Sequence, residues 1–229
     1  GISVISQLPQ SASRALREKV KSAKRRKKSS TRWLDRQLND PYVVAAKKEG
    51  YRSRAAYKIL EINEKFNILK PGYKVLELGS SPGAWTQVNV NKVGNGNVWC
   101  IDINSMDEVK GAYFKKIDIF DSNIKKEIES FMKNKVNIVQ SDMASPSTGH
   151  SKTDHLRTMA LCEASLQIAY DFLLEGGSFF AKVLQGGTEN DLLKNLKLSF
   201  TDVKHFKPNS SRKESSELNL DISIAGRTA

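Results

Sequence analysis

From Lys74 onward the chain alternates short apolar runs with longer amphipathic ones. Apolar runs rich in Val, Ile, Leu and Phe occur at 74–78 (KVLEL), 97–102 (NVWCID), 112–118 (AYFKKID), 136–142 (VNIVQSD) and 178–183 (SFFAKV). Two more follow at 200–207 (FTDVKHFK) and 220–226 (LDISIAG). Their length and β-branched content predict strands. Helical patterns fall between most of them, at 84–93, 121–133, 154–174 and 188–197. The long one opens at Asp154, a residue type that caps helices, and closes at a glycine pair. An earlier helix is predicted over Ser53–Phe66, with Ala56, Ile59, Leu60 and Asn63 on one face, Ser53 as cap and KPG at 70–72 as stop. Trp33–Val44 brings the first apolar and aromatic residues, with NDPY read as a turn. Strands alternating with helices imply an α/β domain whose mostly parallel sheet is covered on both faces. Ligands of such sheets bind at the carboxyl ends of the strands.

Residues 1–29 lack apolar periodicity and read as a flexible basic arm, leaving 30–229 as one domain. Charge sharpens that division. Residues 14–36 hold eleven basic side chains against Glu18 and Asp35, which is +9 of the chain's +12. A clustered polybasic segment suits phosphate contact and counterion release, a nuclear address or plain solubility being the other readings. Mean hydropathy is −0.47, and no apolar run reaches the roughly 18–20 residues that span a bilayer. The first residues lack the layout of a secretory signal. Two cysteines, Cys100 and Cys162, both in apolar segments, fit a reducing cytoplasm and no metal site. His150, His155 and His205 stand in loop, helix-start and strand contexts and read as structural or surface groups.

The chemistry-bearing stretch is KVLELGSSPGAWTQ, residues 74–87. Gly79 allows a tight exit from the strand, and Gly83 opens the next helix without a Cβ. The spacing is E-x-G-x-x-x-G and not G-x-G-x-x-G. A pyrophosphate needs several free N–H groups at the helix start, and Pro82 removes one. Acids recur on successive strands: Glu77, then Asp102, placed to accept from both ribose hydroxyls of an adenosine, then Asp118, placed to accept from an adenine amino group. Together they point to S-adenosyl-L-methionine, an adenosine ligand without phosphate.

Further groups belong to the same rim. Asp142 ends the fourth strand, and Lys182 interrupts an apolar fifth strand, where an ammonium needs a partner or a task. An ion pair is one reading of Lys182; positioning or deprotonating an attacking hydroxyl is the other. Glu217 can add a carboxylate, and Lys58 a second cation. RSRAAYKILEI, VLELGSSPGAWTQ, QSDMASP, FFAKVLQGG and KPNSSRKESSE occur in that order. They resemble the FtsJ/RlmE family, whose members methylate a uridine ribose 2′-hydroxyl of large-subunit (23S) ribosomal RNA.

The resemblance implies a Rossmann-like S-adenosylmethionine-dependent methyltransferase fold with a mostly parallel seven-stranded sheet. It also implies a Lys58–Asp142–Lys182–Glu217 catalytic tetrad and cofactor contacts at Gly83, Trp85, Asp102, Asp118 and Asp142, beside Gly79. Gly83-Ala84 stands where the family has a glycine pair. The expected partner is ribosomal RNA, within the large subunit or its precursor, with a monomeric enzyme serving late ribosome assembly. A free lysine titrates near 10.4, so Lys182 as base and Lys182 as orienting group both stay open. The basic arm and the Arg52/Arg54 pair are the expected phosphate contacts. Competing readings are methylation of tRNA or an mRNA cap, a non-catalytic RNA-binding assembly factor, and a nicotinamide-dependent oxidoreductase.

Overall fold

The computed structural model describes residues 27–183, 194, 200–204, 206–211 and, for the backbone, 221–227. Three helices precede the sheet: α1 (Lys28–Asn39), α2 (Pro41–Glu49) and α3 (Ala56–Phe66). Then come β1 (Val75–Leu78), α4 (Ala84–Val93), β2 (Val98–Asp102), β3 (Ala112–Lys116), α5 (Ile124–Met132), β4 (Val136–Ser141), α6 (Ser151–Phe172), β5 (Leu173–Val183), β6 (Phe200–Lys204) and β7 (Asp221–Arg227). The sheet order is β3-β2-β1-β4-β5-β7-β6. The first five strands are parallel, and β7 runs antiparallel between β5 and β6. The chain therefore reverses direction across the sheet between β1 and β4, where their carboxyl ends open a crevice.

Strand alternation divides the core into two layers. Leu76, Leu78, Ile101, Val139, Phe179 and Ala181 face α5 and α6. Val75, Val98, Cys100, Ile138 and Phe180 face α3 and α4. Phe179 and Phe180 are adjacent in sequence, point to opposite layers and are both fully buried.

Several boundaries differ from the sequence expectation. NDPY is no turn but the joint of two helices: Asp40 caps α2, accepting from Tyr42 N at 2.9 Å and Val43 N at 3.4 Å, with Pro41 at its first position. α3 begins at Ala56 without a side-chain cap, because Ser53 Oγ accepts instead from Ala55 N at 3.3 Å. α6 starts at Ser151, so Asp154 lies inside its first turn rather than at the cap. The helix stops at Phe172 and passes directly into β5, whose register slips against β4 between Val136 and Ile138. The glycine pair predicted as helix stop sits inside β5, with Gly176 at φ 72°. The segment 1–26 and nearly all of the predicted helix 188–197 lie outside the described residues. No helix among the described residues is long and apolar enough to cross a membrane.

Candidate active site

A cleft of about 750 Å³ opens at the carboxyl ends of β1, β2 and β4. Four of the expected site residues line it: Gly79, Asp102, Asp118 and Asp142. Asp102, the last residue of β2, is fixed by two backbone donors, Ser81 N to Oδ2 at 2.8 Å and Asn104 N to Oδ1 at 2.7 Å. An ionised carboxylate offers about four acceptor positions, so it keeps capacity for the two hydroxyls of a ribose. Asp118 Oδ1 accepts from Phe120 N at 2.9 Å, which sets the carboxylate at the cleft's edge. Apolar side chains stand between these acids: Ile103 and Phe120 also line the cleft and are each 58% exposed. Large apolar groups left to solvent beside fixed acceptors suit an aromatic heterocycle carrying a sugar.

The charge at the Asp102–Asp118 end of the cleft disfavours a pyrophosphate. Three carboxylates line it with Arg157 of α6, and one of them, Asp142, is paired with Lys58, which leaves Asp102 and Asp118 as an acidic end. Such a lining repels anions and favours a ligand that bears positive charge.

The two glycines serve the scaffold in different ways. Gly79 has φ 76°, and a Cβ there would run into the side chain of Met143, itself a lining residue. Gly83, at φ 109°, caps α4; a Cβ would lie 2.9 Å from Arg52 Nη1. That guanidinium donates to the carbonyls of Pro82 (3.0 Å), Asp107 (2.6 Å) and Glu108, tying the β1–α4 turn to the loop after β2. Arg54 pairs with Asp40 at 3.4 Å, donates to Ser210 O and lies over the Tyr42 ring. Both arginines thus make contacts within the protein. Gly83 and Trp85 do not line the cleft. Trp85 is 5% exposed, its indole N–H donates to Ala55 O at 2.8 Å, and its ring packs against Phe180.

Glu77 is also separate from the rim. It points into the layer under α4, where its Oε2 accepts from Thr86 Oγ1 (2.9 Å), Asn89 Nδ2 (3.2 Å) and Cys100 Sγ (3.8 Å). Burial without a cationic partner pushes its pKa up to about 8, against the lowering effect of those donors. Asn89 Oδ1 accepts in turn from Gln140 Nε2 at 2.9 Å, which extends the polar chain across β1 to β4. The adenosine reading therefore rests on Asp102 and Asp118, with Glu77 as framework. Cys100 and Cys162 are both buried, as expected of small core groups, and burial pushes the Cys162 thiol up to about 12.

At the edge of the cleft two members of the expected tetrad pair, and the strand register sets a third beside them. Lys58, in the first turn of α3, places Nζ 3.4 Å from Asp142 Oδ2 and 3.5 Å from Oδ1. Ser141 of β4 is in register with Ala181 of β5, so the residues that follow, Asp142 and Lys182, emerge side by side. Neighbouring strands lie about 4.8 Å apart. Lys182 is half-buried between the buried Ala181 and Val183. Glu217 lies outside the described residues.

Other participants carry weaker sequence signals. Ile103 directly follows the strand-end acid, so its position was available from the motif although its exposure was not. The tie between two distant motifs had no local signal: Glu61 of α3 accepts from Ser210 Oγ at 2.6 Å and Ser210 N at 3.2 Å. With Arg54, it fastens KPNSS to the helix that bears Lys58. Asp154 orders the loop after β4, accepting from Thr148 N (3.0 Å), Thr148 Oγ1 (2.7 Å) and Ser147 Oγ (3.4 Å). Those hydrogen bonds hold its carboxyl below the ordinary value.

Residues 51–220 match the FtsJ-like methyltransferase family. The chain belongs to this family. This FtsJ-like methyltransferase is 49% identical over 213 residues to the ribosomal RNA large subunit methyltransferase E of Cereibacter sphaeroides, covering 89% of this chain and 87% of the relative. The protein of the same description from Paramagnetospirillum magneticum is 50% identical over 215 residues, covering 91% and 88%. A crystal structure assigned to a ribosomal RNA methyltransferase of Plasmodium falciparum superposes with a TM-score of 0.67 at 28% identity, covering 78% of this chain and 98% of that one.

Proposed function

We propose that this FtsJ-like methyltransferase uses S-adenosylmethionine to methylate the ribose 2′-oxygen of a uridine in large-subunit ribosomal RNA. The observation that carries the proposal is the Lys58–Asp142 ion pair at the edge of a carboxylate-lined cleft, with the register of β4 and β5 setting Lys182 on the strand beside it. It occurs in a chain about half identical to proteins named for that RNA. The Rossmann-like framework, with seven strands, brings these groups to one rim. Asp102 and Asp118 hold the adenosine, and Ile103 and Phe120 enclose its base. Asp142 takes the amino acid end, where its negative charge meets a cation. The bound cofactor supplies a methyl group made electrophilic by a sulfonium.

This chain's residues then position the nucleophile. Asp142 fixes the Lys58 ammonium, and the two lysines converge on the place where a ribose hydroxyl must enter. Lys182 directs the oxygen lone pair toward the methyl and stands in reach of the hydroxyl proton. Glu217 is assigned the remaining carboxylate of the tetrad. Most of the acceleration in such an arrangement comes from alignment of the reacting atoms. The need for a 2′-hydroxyl selects RNA over DNA. The basic segment at 14–36 supplies phosphate contacts.

The test is methyl incorporation from labelled cofactor into undermethylated large subunits, tRNA and capped RNA, followed by mapping of the modified nucleotide. Label at one uridine 2′-oxygen of large-subunit RNA is expected. Label confined to tRNA or cap, or none in any RNA, overturns the proposal.

A further inference from the structure

Among the three tryptophans, two are accounted for by packing: Trp85 is buried, and Trp99 is half-buried and stacked on Tyr113 at 5.7 Å between centroids. Trp33 is different. It stands on α1 with 59% of its surface exposed. Single exposed apolar residues are common and need no explanation; the setting of this one is what singles it out. Arg36 is its neighbour at i+3, and Arg32 lies four residues before Arg36, so the three share one broad side of α1. Arg32, Arg36 and Lys28 are all exposed. Asp35, the one acid of α1, is half-buried and accepts from Asn39 Nδ2 at 3.0 Å. The outer face of α1 therefore presents an aromatic ring among positive charges, next in sequence to the polybasic run.

The helix is also fixed to the active site. Asp40, which ends α1 and caps α2, pairs with Arg54 just before α3. Arg54 lies 5.2 Å over the Tyr42 ring, and Tyr42 meets Tyr57, the residue before Lys58, at 5.4 Å. A ligand held on α1 is thus held at a set position relative to Lys58.

We propose that the outer face of α1 is a docking platform for an unpaired RNA base, which stacks on Trp33 while Arg32 and Arg36 take the flanking phosphates. The proposal rests on the RNA-methylating function argued above and adds a second contact point outside the cleft. An aromatic ring flanked by cations matches the way single-stranded nucleic acid is held without sequence readout. A paired helix hides its base faces and cannot use the indole.

The test uses the full chain, a short labelled oligouridylate and an RNA duplex of equal length. Iodide should quench part of the tryptophan emission of the free protein, and Trp33→Phe should remove that accessible part. Trp33→Ala should weaken oligouridylate binding about tenfold with the salt slope unchanged, because no counterion is involved. Trp33→Phe, which still stacks, should bind nearly as wild type. Duplex binding should be the same in all three. Arg36→Ala should instead lower the salt slope by about 0.7. Titration with S-adenosylmethionine serves as the folding control. Wild-type affinity of Trp33→Ala for oligouridylate, or an equal loss for duplex, overturns the platform. So does failure of iodide to reach Trp33 in the free chain, which would mean that another part of the protein or a second copy covers it. Methyl incorporation by the wild type is read separately. If wild type binds oligouridylate through Trp33 yet methylates no RNA, the function falls and the platform stands; the reverse pattern condemns the platform alone.

Discussion

Glu77 and Asp142 are carboxylates on neighbouring parallel strands, yet they live in opposite environments. Glu77 is in register with Gln140, only two residues before Asp142. The strand's alternation turns Glu77 into the α4 layer, where it is 2% exposed and meets only neutral donors. Asp142 follows the end of β4, where its side chain keeps 23% exposure and meets the Lys58 ammonium. The difference shows how the fold separates framework from chemistry. Below the rim a carboxyl is tolerated by holding its proton. At the rim Asp142 is partly open to solvent and paired with an ammonium. The polar chain Glu77–Thr86–Asn89–Gln140 joins β1, α4 and β4 beneath the cleft without taking part in it.

The comparison breaks most visibly at the rim. Lys182→Ala should lower methyl transfer by roughly 10²–10⁴-fold, the range for loss of a positioned acid–base group. Cofactor affinity measured by calorimetry should stay near wild type; substantial residual activity would remove Lys182 from the chemistry. Below the rim the effect should be on stability alone. An unfolded Glu77 ionises near 4.5, whereas the folded group keeps its proton to about 8. Unfolding therefore releases a proton between those values. Its favourable contribution is complete below 4.5 and is lost as pH rises through 8, a change on the order of 3–5 kcal/mol. Glu77→Gln, neutral at every pH, should flatten the thermal-stability profile over that window and unfold at a higher temperature at pH 8. An identical pH profile for both proteins would show that Glu77 is ionised in the fold. Asp102→Ala belongs between these two regions. A hydrogen bond to a charged group contributes about 1.5–3 kcal/mol, so cofactor affinity should fall ~10–100-fold, and an unaltered titration would place the ribose elsewhere.

Much of this division could be read from the chain before any coordinates. The five parallel strands were legible because each contains a short apolar run, and three of them carry or precede an acid at the carboxyl end: Asp102, Asp118 and Asp142. The strand-end acids followed from that, and so did the neighbourhood of Asp142 and Lys182. What stayed hidden depends on direction rather than type. Period-two alternation assigns Glu77 to a face, but only the packing of α4 shows that the face is dry. The contacts of Arg52 and Arg54 were not legible because most of their acceptors are backbone carbonyls 30 to 156 residues away in sequence, and carbonyls leave no sequence signal. Helices α1 and α2 were missed because Asp-Pro signals a turn and a helix start with the same two residues. The resemblance sets Trp85 at the cofactor; the hydrogen bond of its indole to Ala55 O, which packs the ring in the scaffold, had no sequence signal.

The smallest expected effect concerns a third acid, Asp154, which belongs neither to the buried chain nor to the catalytic rim. It is exposed in function if not in contact: its carboxylate gathers Ser147 and Thr148 and so shapes the loop whose Ser145 and Pro146 form one wall of the cleft. It also sits in the first turn of α6, where negative charge suits the helix dipole. Its folded value is depressed, so the loop's order is present at neutral pH and is lost only as pH falls through that value, below the ordinary carboxylate range. Asp154→Ala should therefore leave the melting temperature nearly unchanged at pH 7 while speeding limited proteolysis within 145–150. Because that wall borders the cleft, a modest rise in KM at constant kcat should accompany it. Equal proteolysis rates would mean that the loop is ordered by its contact with α6, such as Ser145 N on Thr158 Oγ1 at 3.2 Å, and not by Asp154.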